Sequence, residues 1–177
     1  IDKPMALSVE NANDIFQMQQ FDGQIFSCSA LSYAKELKVT RDKINRISPL
    51  SSIRAKSPKD WDRYAIHLID PILELPIEKG ELENSKLNKN KNISSLTLNY
   101  DGGVSINLET DKTSKEPITI VIEGANGVIE LEFKDTFNAF KNSLQDFIDG
   151  MICRDVRRSK SSIIEAISLL EIGRKYD

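Results

Sequence analysis

Ile93-Ser94-Ser95-Leu96-Thr97-Leu98-Asn99-Tyr100-Asp101-Gly102-Gly103-Val104-Ser105-Ile106-Asn107-Leu108-Glu109 decides the fold class. Leu96, Leu98 and Tyr100 alternate with polar residues, and so do Val104, Ile106 and Leu108. That period of two describes a strand with one buried face. Asp101-Gly102-Gly103 supplies the positive φ that a tight hairpin needs. A second hairpin follows, with strands over 118–123 and 128–133 around Gly124-Ala125-Asn126-Gly127. Four consecutive strands with one apolar face require something to cover that face.

Helical spacing surrounds this meander. On its C-terminal side the spacing predicts a helix over 136–149, with Phe137, Phe140, Leu144, Phe147 and Ile148 on one side. Asp135 is its cap and Gly150 its stop. A last helix starts at Ser159 or Ser161 and carries Ile163, Ile164, Ile167, Leu170 and Ile172. On the N-terminal side, Ile1 to Met5 reads as the end of a buried strand, and Ser8 caps a helix over 8–20. A short strand over 24–28 and a second helix over 29–37 follow. Residues 45–55 read as extended. Ser57-Pro58 opens a helix over 59–75, with Pro58 in its first turn and Pro71 placed to kink or break it. Residues 84–92, rich in Asn, Lys and Ser, read as a solvated loop or a frayed strand end. The order is helices, then strands, then helices. It predicts an α+β fold, a mostly antiparallel open sheet with helices packed on one face.

The chain has 177 residues, 40% of them apolar and 29% charged, which suits a domain with a sizeable core. A net charge of −3 argues against nucleic acid as the main partner. No apolar run approaches the roughly 18 residues that span a bilayer. Cys28 and Cys153 have no paired spacing and read as reduced, buried thiols of a cytoplasmic protein. With one His and two scattered Cys, no metal site is expected. Arg154, Arg157, Arg158 and Lys160, with Asp155 among them, look like an anion patch and read as a solvated loop. The eight Gly form no Gly-x-Gly-x-x-Gly turn, so no cradle for a dinucleotide pyrophosphate is encoded.

Four segments resemble the glucose–fructose oxidoreductase/inositol dehydrogenase/MocA-like (Gfo/Idh/MocA) family. Asp2-Lys3-Pro4-Met5-Ala6-Leu7-Ser8 is similar to its acidic-Lys-Pro loop. Ser27-Cys28-Ser29-Ala30-Leu31-Ser32-Tyr33-Ala34 resembles its entry to the second domain, with Ser32 where relatives often carry a basic residue. Trp61-Asp62-Arg63-Tyr64-Ala65-Ile66-His67-Leu68-Ile69-Asp70-Pro71 resembles its His-bearing helix. There Arg63 stands four before His67, where the family commonly has Asp, and Asp62 stands five before. The run Asp146 to Gly150, followed by 162–176, resembles its closing helices.

The resemblance implies that the first nine residues belong to the interior of a longer enzyme. Residues 1–28 would be the tail of a dinucleotide-binding half, and 29–177 an α+β substrate-binding domain. It implies NAD or NADP as cofactor, bound mostly outside this chain but touching Lys3 and Pro4, so this chain alone should be inactive. The substrate would be a carbohydrate-like small molecule: a sugar, polyol or sugar-derived hydroxyl compound. In that reading Lys3 is the cation that stabilises a developing alkoxide and His67 the base that takes its proton, with Asp62, Arg63 and Tyr64 flanking the substrate. The plain alternatives are a solvated turn lysine and a packed helix histidine. The second face of the sheet is either covered by the chain's own helices or pairs with a second copy through the open sheet face, giving a homodimer or larger oligomer. Two rival functions remain: a non-catalytic ligand-binding or oligomerisation module of the same fold, and a redox-assisted glycoside hydrolase.

Overall fold

The computed structural model describes residues 1–174, so the end of the 162–176 segment and the domain limit at 177 lie outside the described residues. The alternation becomes burial directly. β3 (Ile93–Tyr100) and β4 (Ser105–Asp111) bury every second residue, and so do most of β1 (Leu50–Pro58) and β5 (Thr119–Gly124). With β2 (Leu82–Lys89) and β6 (Gly127–Glu132) they form one sheet in the order β2-β3-β4-β1-β5-β6. Both predicted hairpins are present, but the expected four-strand meander is not the whole sheet. β1 inserts between the hairpins, parallel to β4 and antiparallel to β5. This places Ile53 between Ile106 and Ile122, and Ala55 between Leu108 and Ile120. Apolar rows therefore cross the sheet, one running Leu98, Ile106, Ile53, Ile122, Ile129. Each fully buried aliphatic side chain in such a row contributes about 1.5–3 kcal/mol.

The opposite face is polar. Arg54 pairs with Glu123 and Lys56 with Glu109, while Asn107 Nδ2 donates to Ser95 Oγ and Thr97 Oγ1. The helices lie on the apolar face. α4 (Ile66–Leu73) packs on β1, and α6 (Lys160–Arg174) packs on α4 and β3. The expectation of an α+β fold, mostly antiparallel with helices on one face, holds.

Several local expectations are corrected. Residues 1–5 and 24–28 are not strands. Neither carries a ladder: residues 3–5 bend, and Ile1 N donates to Phe26 O at 2.9 Å. The first helix, α1 (Val9–Gln17), is shorter than expected but is capped by Ser8, whose Oγ accepts from Asn11 N at 3.2 Å. The helix expected over 29–37 is two 3-10 turns, Ala30–Tyr33 and Lys35–Leu37. Residues 45–55 are not all extended. Thr40 caps α2 (Arg41–Ile47), whose buried Ile44 and Ile47 stand three apart. Pro58 ends β1, and Asp60 caps the next helix, α3 (Trp61–Tyr64). The interruption expected at Pro71 falls at Ala65 instead, where Leu68 N bonds three residues back to Ala65 O, and Pro71 is held inside α4.

Residues 82–89 form a true strand. β2 is an edge strand with nearly all side chains exposed, so no alternation marked it, and its pairing with β3 is made by backbone groups. α5 (Thr136–Cys153) runs past Gly150 and ends at Arg154, in the left-handed region at φ 56°. Gly150 serves close approach: a Cβ there would stand 2.6 Å from Arg157 Cγ. The buried face of α5 is Ala139, Ser143 and Gly150, and the predicted Phe137, Phe140, Leu144 and Ile148 face solvent. Ser159 caps α6 by accepting from Ser162 N. Cys153 is exposed and Cys28 half-buried, so the expected buried thiol pair is absent. The basic run is not uniformly solvated either, because Arg158 is buried.

Candidate active site around His67

Three parts of the chain meet at His67. α4 presents it, because Ile66, Leu68 and Ile69 bury the rest of that turn and leave His67 at the margin. The loop before the first 3-10 turn brings Ser29, whose Oγ lies 2.7 Å from His67 Nδ1 and also accepts Leu31 N–H at 3.2 Å. Tyr64, from the end of α3, packs edge-on against the imidazole with ring centroids 5.3 Å apart. Its hydroxyl accepts from Lys59 Nζ at 2.6 Å. With Nδ1 on Ser29, Nε2 is the nitrogen free to meet a ligand.

Burial lowers the His67 pKa to about 4, the Lys3 ammonium disfavours a second positive charge, and Asp2 opposes the shift. The imidazole is therefore neutral at pH 7. Lys3 belongs to this neighbourhood, with 27% of its side chain exposed and Asp2 3.9 Å away. Lys3 and Pro4 also line a small void with Ser27, Cys28 and Asp70. Burial, followed by repulsion from Asp70, pushes the Cys28 thiol up to about 12, which makes it a poor nucleophile.

Of the residues singled out in the sequence, the structure brings Lys3, Tyr64 and His67 together. It turns Asp62 and Arg63 outward. Asp62 Oδ1 accepts from Arg174 Nε at 2.6 Å, and Arg63, 79% exposed, pairs with Asp60 at 3.9 Å. Ser32 is buried, its hydroxyl unpartnered among the described residues.

Sequence reading missed Ser29, Asp70, Glu74 and Arg158. Asp70 Oδ2 accepts Ser29 N–H, and Asp70 Oδ1 accepts from Arg158 NH2 at 3.2 Å. Arg158 NH1 donates to Glu74. The one legible signal was an acid within an apolar helical run, three residues after His67.

Among the described residues, no group of His, Cys, Asp and Glu could hold a metal. The N-terminus of α1 is met by the Glu171 carboxylate, which accepts Val9 N–H at 2.9 Å. A separate cleft of about 770 Å³ lies between residues 21–26 and the end of α5, walled by Phe21, Phe26, Phe147, Met151, Arg154 and Arg157. No described helix is long and apolar enough to cross a membrane.

No protein-family model and no curated protein matches the sequence. Solved structures do match. Myo-inositol 2-dehydrogenase from Lactobacillus plantarum superposes with a TM-score of 0.78 at 14% identity, over 98% of this chain and 69% of that one. A Gfo/Idh/MocA family oxidoreductase from Vibrio cholerae gives 0.69 at 11% identity, over 98% and 68%. GenD2 from gentamicin A biosynthesis, in complex with NAD, gives 0.75 at 11% identity, over 96% and 66%. The chain thus spans about two-thirds of the length of these structures. Its fold is the C-terminal α+β fold of Gfo/Idh/MocA dehydrogenases.

Proposed function

We propose that this chain is the substrate-binding half of an NAD(P)-dependent oxidoreductase of the Gfo/Idh/MocA family, acting on a hydroxyl of a sugar, polyol or related compound. The observation that carries the reading is a neutral, half-buried imidazole with Nε2 free, in the neighbourhood of a lysine ammonium, within this fold. Bound NAD(P) would supply the hydride acceptor. His67 takes the hydroxyl proton at Nε2, which requires the Nδ1–H tautomer donating to Ser29 Oγ. Lys3 stabilises the oxygen as its negative charge grows. Tyr64 limits rotation of the ring and walls the substrate side.

Residues 1–28 belong, in this reading, with a dinucleotide-binding half. That half covers the cleft beside Phe26 and the exposed apolar side of α5. The support is physical: Phe137, Phe140, Leu144, Met151 and Ile152 are each more than half exposed on one helix. Self-association through the polar sheet face completes the proposal, and sedimentation checks it.

The test is turnover of the longer enzyme with polyol and sugar substrates. Lys3→Ala and His67→Ala should each lower kcat by 100-fold or more, on the order expected for lost acid–base or alkoxide stabilisation. Unchanged turnover would favour the second reading, a binding module that keeps the fold. The outward Asp62 and Arg63 and the buried Ser32 support that alternative.

A further inference from the structure

α4 carries His67 and Asp70, and Glu74 caps its C-terminus; spacings of three and four put them along one side of the helix. Arg158 reaches that side from the loop between α5 and α6. Its side chain is only 4% exposed. One terminal nitrogen donates to Asp70 Oδ1 at 3.2 Å and the other to Glu74. The second oxygen of Asp70 accepts the backbone N–H of Ser29. Ser29 Oγ then meets His67 Nδ1 at 2.7 Å. An unbroken path of polar contacts runs from a loop residue, through a buried carboxylate, to the imidazole.

We propose that Arg158 is a positioning residue of the His67 site: it holds Asp70, Asp70 holds the Ser29 backbone, and Ser29 Oγ fixes the tautomer and rotation of the ring. The proposal rests on the reading of His67 as the base. Stability alone is a poor account of this arrangement. Burying an arginine with two carboxylates is often no better than packing apolar groups of the same volume. Among the described residues Arg158 Nε has no partner, so part of its desolvation goes uncompensated. Orientation is what the extra contacts do supply. Each oxygen of Asp70 has a different task, one toward Arg158 and one toward the loop that carries Ser29. Ser29 Oγ already accepts Leu31 N–H, which leaves it one lone pair for the ring's N–H. The other groups facing His67 are Lys3 and Asp2 from the N-terminal loop and Tyr64 from α3.

His67 is the single histidine, so imidazole ¹⁵N spectra of the 177-residue chain report one ring. The ring shifts give the tautomer, and a pH titration gives the midpoint. Arg158→Lys keeps the charge but loses the fork. The pair Asp70→Asn with Arg158→Met removes both charges together, so neither is left buried alone. Ser29→Ala is the reference for a ring released from its partner. Both Arg158 changes should mix the tautomers and move the midpoint by about 0.5 pH unit or more, in the direction Ser29→Ala moves it. A folded Arg158 variant with the wild-type tautomer and midpoint would overturn the proposal. Loss of fold in both would overturn it as well, because Arg158 would then hold the fold and not the ring. If His67→Ala left the longer enzyme fully active, the base role would fail while the spectra still decided the relay.

Discussion

Replacing His67 by Gln should change how stability responds to acid. In the folded chain burial, aided by Lys3, lowers the His67 pKa from 6.5 to about 4. The unfolded chain therefore binds a proton near pH 6.5 that the folded chain refuses until about pH 4. Stability from this group is present above pH 6.5 and is lost as pH falls through 4. A difference of about 2.5 pH units, at about 1.4 kcal/mol each, amounts to roughly 3 kcal/mol. At pH 7 the Gln variant should be the less stable chain by about 1 kcal/mol, for the lost contact with Ser29. By pH 4 the order should reverse, the gap having moved by roughly 3 kcal/mol in favour of the variant. Urea unfolding at pH 7, 5.5 and 4, followed through the fluorescence of the single, buried Trp61, measures both chains. The comparison holds while the two share one m-value. A gap that moves by less than about 1 kcal/mol would refute the reasoning, because the imidazole would then titrate alike in both states.

Asp70→Asn should show the opposite slope. Burial raises the Asp70 pKa from 3.8 to about 6, so the stability this group contributes is full below 3.8 and lost as pH rises through 6. Between pH 4 and 7 the wild type should lose roughly 2 kcal/mol relative to the variant in the same urea series. Gly173→Ala places a Cβ 2.0 Å from Trp61 Cζ2, against a ring held by its Nε1–H to Leu170 O. It should cost about 1–3 kcal/mol and shift the Trp61 emission, and an unchanged urea midpoint would show that the contact can relax freely. Phe140→Ser with Leu144→Ser, both more than half exposed, should leave the stability of this chain within about 0.5 kcal/mol per site. The same pair should impair the longer enzyme if another domain covers α5, and wild-type turnover would count against that placement.

Strands whose side chains face two different environments announced themselves. Leu96, Leu98 and Tyr100, and Val104, Ile106 and Leu108, alternate because one face of each strand is buried, and both hairpins were legible for that reason. β2 was not, because an edge strand exposed on both faces has no environment to write an alternation. β1 was legible only as an extended stretch. Its place between β4 and β5 depends on pairings with residues about 50 to 70 positions away, which no local pattern encodes. α5 misled in the other direction. Phe137, Phe140, Leu144 and Ile148 have the spacing of a core helix, yet the face that packs is made of Ala139, Ser143 and Gly150. Small residues permit close approach and leave little hydrophobic signal. In the candidate site, His67, Lys3 and Tyr64 could be named from one local motif each. Ser29 and Arg158 could not, since their link to His67 runs through contacts 38 and 88 positions apart in the chain.

The distribution of charge around α4 argues for a site kept in one protonation state, not for a titrating switch. His67 and Asp70 are shifted in opposite directions over almost the same interval, one between about 4 and 6.5 and the other between 3.8 and about 6. A proton gained by the folded chain at Asp70 offsets one refused at His67, so the pair adds little net slope to stability below neutrality. Above that interval the imidazole is neutral and Asp70 ionised, with Arg158 beside the carboxylate and Lys3 near the ring. Arg158 matters most at that point, because its charge, ahead of the Ser29 N–H, draws the Asp70 pKa back down. An ionised Asp70 accepts from both Arg158 and Ser29, whereas a protonated one must turn an O–H toward one of them and give up that contact. Holding the carboxylate charged therefore keeps the Ser29 backbone seated and Ser29 Oγ against the ring. The same burial that makes the charge costly makes each of those hydrogen bonds stronger and more directional. A base that must present Nε2 at neutral pH needs its Nδ1 side held by a partner that does not itself titrate, and a serine hydroxyl anchored through a charged pair meets that need.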